Sequence, residues 1–96
     1  MRLKNKVAII TGGSRGIGQA ISELFAKEGA TVIIVDLLPQ GEEVAKKINA
    51  AGGKAEFHSV SVTDKSAIEA LFAQVSKNHG TLDILIIYAG ITRARA

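Results

Sequence analysis

Apolar and polar positions fall in blocks along this chain, and the length and period of each block separate strands from helices. Val7–Ile10 (VAII), Val32–Val35 (VIIV) and Ile84–Ile87 (ILII) are unbroken apolar runs, the pattern of short strands buried on both faces of a parallel sheet. Ala55–Val60 (AEFHSV) alternates instead, which predicts an edge strand. Between these runs, apolar residues recur at helical spacing: Ile17, Ile21, Leu24 and Phe25, then Val44 and Ile48, then Ile68, Leu71, Phe72 and Val75. Each set lines one face of a helix. Gly29, the Gly52-Gly53 pair and Gly80 follow the three sets where left-handed C-caps fall, and Thr63 or Asp64 is placed to cap the third helix at its start. The order is therefore β-α-β-α-β-α-β. Strands joined through helices run parallel, and right-handed crossovers arrange them 3-2-1-4 in an open sheet between helical layers, a three-layer α/β/α fold.

Composition narrows the function classes. With 96 residues the chain is expected to form one domain, residues 1–96, without an internal boundary. Its 47% apolar and 22% charged content is that of a globular chain rather than a disordered one. The net charge of +3 comes from scattered lysines and arginines, not a basic stripe with interleaved aromatics, so nucleic-acid binding is not expected. Cysteine is absent, which excludes disulfides and thiolate metal sites and agrees with a reducing compartment. The N-terminal MRLKNK carries no apolar segment after its charges, and the longest apolar run, residues 84–89, is far shorter than the ~20 residues of a membrane span. A cytoplasmic location without membrane attachment is the expectation.

The chemistry gathers at TGGSRGIGQA, Thr11 to Ala20, between the first strand and the first helix. A helix N-terminus exposes unpaired N–H groups and a partial positive charge, and a phosphate reaches them only where no Cβ intervenes. Gly12, Gly16 and Gly18 remove those Cβ atoms. An ordinary tight turn would also use glycine for positive φ, but here Asp36 follows about 20 residues later at the end of the second strand. A carboxylate there accepts hydrogen bonds from a ribose 2′-hydroxyl and repels a 2′-phosphate, which argues for NAD over NADP.

The spacing T-G-x-x-x-G-x-G of residues 11–18 resembles the short-chain dehydrogenase/reductase family, in particular its 3-oxoacyl-reductase-like members. VAIITGGSRGIGQAI resembles the family's first strand, turn and helix, VIIVD its second strand with the ribose-binding acid, SVTDKSAIEALF the entry to its third helix, and LDILIIYAGI its fourth strand. The resemblance runs along the whole chain. It implies a Rossmann-type fold in which Gly12, Ser14, Arg15, Gly16, Ile17 and Gly18 hold the pyrophosphate and adjoining ribose. Asp36 and Leu37 would flank the adenosine ribose, Ser61 and Val62 would lie at the adenine, and Ala89 and Gly90 would lie beneath the ribose. Arg15 pulls the other way on the cofactor, because a basic residue at this position of the family often meets the 2′-phosphate of NADP. Asp36 is expected to prevail.

Two departures from the family's pattern stand out. Ser61 occupies a position where the family has Asp or Asn against the adenine amino group, a loss of about 1 kcal/mol if one hydrogen bond goes. The family's N-N-A-G at the end of the fourth strand reads IYAG, with Ile87 and Tyr88 replacing both asparagines. The family's Ser, Tyr and Lys for hydride transfer have no counterpart: Tyr88 is the one tyrosine of the sequence, and Thr92 stands where the lysine would follow. No catalytic residue and no activity of this chain alone are expected, the segment bearing those groups corresponding to positions beyond Ala96.

The remaining polar residues read more simply. His58 and His79, with no cysteine and no suitably spaced carboxylate, take surface or capping roles rather than metal ligation. Ser14 has no histidine near it in sequence to make it a nucleophile. Asp64 suits a helix start, and Glu42, Glu43, Lys46 and Lys47 form a solvated helix face with i,i+4 pairing. The fourth strand is left as an apolar sheet edge, a template for pairing. A homo-oligomer through Ile84 to Tyr88, or through the uncovered sheet face, is expected. Three readings follow: a module binding the ADP part of NAD(P), a shortened oxidoreductase whose chemistry needs further residues, or a structural half-Rossmann homodimer.

Overall fold

A computed structural model of the chain describes residues 3–12, 16–61 and 63–87. Among them the elements run β1 (Val7–Thr11), α1 (Gly16–Lys27), β2 (Thr31–Asp36), α2 (Gln40–Ala50), β3 (Lys54–Ser59), α3 (Lys65–His79) and β4 (Ile84–Ile87). All strand pairs are parallel, in the order β3-β2-β1-β4. This is the sheet that right-handed crossovers require.

Cover on both faces explains the unbroken runs of β1 and β2, whereas β4, expected from its run to be equally buried, stands at the end of the sheet with Leu85 exposed and Ile84 and Ile86 half-buried. Ile10, Val32 and Ile34 pack with Ala26 of α1 and Val44, Ala45 and Ile48 of α2 on one side. Val7, Ile9, Ile33 and Val35 pack with Leu71 and Val75 of α3 on the other. Ile9, Ile10, Ile33 and Ile34 are fully buried, each stabilising the fold by roughly 1.5–3 kcal/mol relative to exposure. In β3 the alternation divides the strand as the sequence predicts. Ala55 and Phe57 pack against the first cluster, and Glu56 and His58 take the other face.

Helix α1 corrects the sequence reading. The set Ile17, Ile21, Leu24 and Phe25 does not form the buried face: Ile17 is 61% and Leu24 53% exposed, whereas Gly18, Ser22 and Ala26 are buried. Ile21 and Phe25 are half-buried against the first cluster. The apolar arc is wider than the sheet contact, and small residues occupy its contact edge, letting the helix axis approach the strands. Ser22 keeps its buried hydroxyl satisfied by donating to the Gly18 carbonyl at 2.9 Å.

Local devices fix the other ends. Asp64 caps α3, accepting from the Ala67 N–H at 3.1 Å, and Gly80 closes it at φ 79°. The Asn49 side chain clamps the start of β3, donating to the Ala55 carbonyl at 3.0 Å and accepting from its N–H at 2.9 Å. Asp83 does the same for β4. Its Oδ2 accepts from the Val7 N–H and its own N–H donates to the Val7 carbonyl, both at 2.9 Å. The charged face of α2 differs from expectation, because Lys47 reaches Glu23 of α1 at 3.4 Å instead of Glu43.

Candidate functional site

The glycine turn lies at the C-terminal edge of the sheet, the edge at which open α/β sheets bind ligands. β1 continues one step past its last residue: the Gly12 N–H donates to the Val35 carbonyl at 2.8 Å. That bond holds the start of the turn beside the end of β2, where Asp36 stands. Gly12 and Gly16 adopt φ 71° and 59°, left-handed values that favour glycine. A Cβ placed on Gly16 would meet nothing within 4 Å. Among the described residues the space beside Gly16 at the start of α1 is therefore open. An open helix start of this kind suits an anionic group.

Asp36 is half-buried, and its Oδ1 accepts from the Leu38 N–H at 3.2 Å. This turn bond orients the carboxylate at the end of β2. Leu37 beside it is 62% exposed, an apolar surface next to the carboxylate. Gly18 is buried where α1 meets the sheet, the close-packing role of the last glycine in such turns. Ile17 is exposed at the open helix start. Ser61 sits on the approach to α3, where its hydroxyl is engaged with the Thr63 hydroxyl at 2.7 Å and accepts from the Thr63 N–H at 3.2 Å. Gly12, Gly16, Ile17, Gly18, Asp36 and Leu37 are thus gathered at the ends of β1 and β2, with Ser61 beyond β3. Ser14, Arg15, Val62, Ala89 and Gly90 lie outside the described residues, as does Tyr88.

Sequence reading passed over Thr11, which opens the motif. It is buried, and its hydroxyl donates to the Ile86 carbonyl at 3.4 Å, tying the end of β1 to the end of β4 just below the turn. The signal was its place directly before the glycines. Glu56 was also missed. His58 and His79, read as separate surface or capping residues without a carboxylate, both meet it: His58 Nε2 is 3.2 Å from one oxygen and His79 Nε2 is 2.7 Å from the other. The alternation of β3 put Glu56 and His58 on one face, but only the fold brings in the end of α3. Among the described residues no group of three or more His, Cys, Asp or Glu could hold a metal ion. None of their helices is long and apolar enough to cross a membrane.

Comparison with known proteins agrees with this geometry. The short chain dehydrogenase family model matches residues 6–96. The oxidoreductase YxbG of Bacillus subtilis is 46% identical over 91 residues, covering 94% of this chain and 33% of its own length. The 3-oxoacyl-acyl-carrier-protein reductase FabG of Thermotoga maritima is 40% identical over 94 residues, with 97% of this chain and 38% of its own covered. A crystal structure of a metagenomic short-chain oxidoreductase in complex with NADP superposes with a TM-score of 0.84 at 37% identity, over 88% of this chain and 39% of that one. The chain spans about a third of the length of the curated relatives it matches.

Proposed function

The chain belongs to the short-chain dehydrogenase family, and from that membership we propose that it is the family's dinucleotide-binding N-terminal half, holding the ADP part of a nicotinamide dinucleotide. The observation that carries the reading is the convergence of the Gly12 and Gly16 turn, the open start of α1 and Asp36 at one edge of the sheet. Gly12, Ser14, Arg15, Gly16, Ile17 and Gly18 hold the pyrophosphate and its ribose. Asp36 and Leu37 take the adenosine ribose, Ser61 and Val62 the adenine, and Ala89 and Gly90 the underside of the ribose. The bound nicotinamide would supply hydride chemistry, and this chain's residues bind and orient without a proton donor of their own. Residues 1–96 act as one unit, and the absence of cysteine suits a cytoplasmic setting.

NAD is preferred to NADP, because Asp36 attracts a 2′-hydroxyl and repels a 2′-phosphate. Calorimetric titration of the purified chain with NADH and with NADPH tests this. Saturable binding tighter for NADH, with the gap narrowed by Asp36→Ala, is the expected result. Equal affinities, or a gap that Asp36→Ala leaves unchanged, would overturn the cofactor preference, and no binding by a folded chain would overturn the module.

A second reading is favoured by one observation. β4 is a sheet edge and its Leu85 is 42% exposed. A homodimer through β4, or through the sheet face beside α3, would cover it. Light scattering across micromolar concentrations checks this, and a monomer throughout that range removes it.

A further inference from the structure

At the end of the sheet opposite the glycine turn, the first residues of β1, β2 and β3 open onto a cavity of about 450 Å³. Pockets of roughly 300–1,000 Å³ take small molecules. Lys4, Asn5, Thr31, Lys54 and His79 line it, and no Asp or Glu does. Both lysines are exposed and, among the described residues, neither has a salt-bridge partner. Among the described residues the charged side chains that line it are all basic, which favours an anion.

Two features build the walls. His79 closes α3, and Glu56 takes its Nε2 at 2.7 Å. That contact holds the ring against β3. Glu56 thus holds the imidazole without lining the cavity itself. On the other wall, Asn5 is the one non-glycine residue with positive φ among the described residues, at 69°, in a turn closed by the Lys6 N–H donating to the Leu3 carbonyl at 3.0 Å. That turn sets Lys4 and Asn5 on the rim.

We propose that this cavity is a second ligand site, distinct from the glycine turn, for a small phosphate-bearing molecule. Lys4 and Lys54 neutralise its charge, and the Asn5 amide adds a directional contact. The proposal is independent of the dinucleotide reading.

Inorganic pyrophosphate, titrated into the isotope-labelled chain at constant ionic strength, tests it through amide chemical shifts. Saturable shifts at Thr31, Gly53 and Lys54 are expected, separate from any at Gly12, Gly16 and Ile17. The double variant Lys4→Ala, Lys54→Ala should weaken the first set about tenfold, the loss expected for charge-assisted contacts, and leave the second set unchanged. Lys54→Gln alone serves if the double variant loses its native spectrum, with weakening of the first set again expected. Shifts confined to the glycine turn, shifts reproduced by sodium chloride, or a first set insensitive to the lysines would each overturn the site.

Discussion

The β3 side and the β4 side of this molecule are built differently. At β3 the edge strand carries Lys54, Glu56 and His58, charged or titratable groups that discourage pairing with another chain. Helix α2 lies over it, Asn49 clamps its first residues, and the seam between α1 and α2 is bridged by Glu23 and Lys47. At β4 the edge strand is ILII, Leu85 is exposed, and the flank of α1 away from α2 shows Ile17 and Leu24. A helical wheel through Gly18, Ser22 and Ala26 puts Glu23 and Lys27 toward α2 and Ile17, Ile21 and Leu24 on the opposite flank. The lesson is that one side is a finished boundary of the sheet. The other has the composition of an interior that continues into something else.

The largest test of this contrast compares the two inward anchors. Phe57 of β3 and Ile86 of β4 both pack against the same cluster. Phe57→Ala should destabilise the chain by about 3 kcal/mol and Ile86→Ala by about 2 kcal/mol, since both sites are half-buried and the aromatic ring is the larger side chain lost. Urea unfolding at low micromolar concentration checks both. An Ile86→Ala cost equal to that of Phe57→Ala would mean that β4 is covered in solution.

Next in size come the two clamps. Asp83→Ala should cost about 2 kcal/mol, because it leaves the Val7 N–H without its carboxylate at a buried strand start, and Asn49→Ala about 1 kcal/mol at an exposed one. Equal costs would show that the clamps do not report the difference between the sides. Smaller still is Leu85→Lys. At a position 42% exposed, it should change stability by no more than about 0.5 kcal/mol. If the chain self-associates through β4, the same substitution should return it to a monomer in light scattering.

The same contrast explains what the sequence could and could not reveal. Strand order, the both-face burial of VAII and VIIV, the half-buried β3, and the caps at Asp64 and Gly80 follow from period and punctuation, which are local. The pairing of Gly12, Gly16 and Asp36 was legible because a motif fixes their spacing across one βαβ unit. Helix α1 was misread because its apolar residues serve two surfaces, and periodicity counts apolar positions without saying which neighbour each meets. Glu56 with His79, and Lys47 with Glu23, join residues 23 and 24 positions apart in the chain. Such side-chain meetings depend on the lateral placement of helices on a sheet, which no local pattern encodes.

The smallest effect concerns the polar seam on the β3 side. The Gln19 side chain donates to Glu23 at 2.9 Å, and this bond, more than the Lys47 ammonium, holds the Glu23 carboxyl below the usual glutamate range against an opposing push from burial. A carboxyl with a depressed folded-state pKa contributes stability above its unfolded value, near 4.5, and loses it as pH falls through the lower folded value. Wild type should therefore be slightly more stable than Glu23→Gln at about pH 7, and the gap should close below about pH 4.5. Its size is small, because a carboxylate about a third exposed is screened by water. Paired urea midpoints across this range cancel the titration of the other carboxylates. A gap that stays constant with pH would mean that the charge of the Glu23 carboxylate is not what stabilises the seam, and its pairing with Lys47 would then contribute nothing to closing the β3 side.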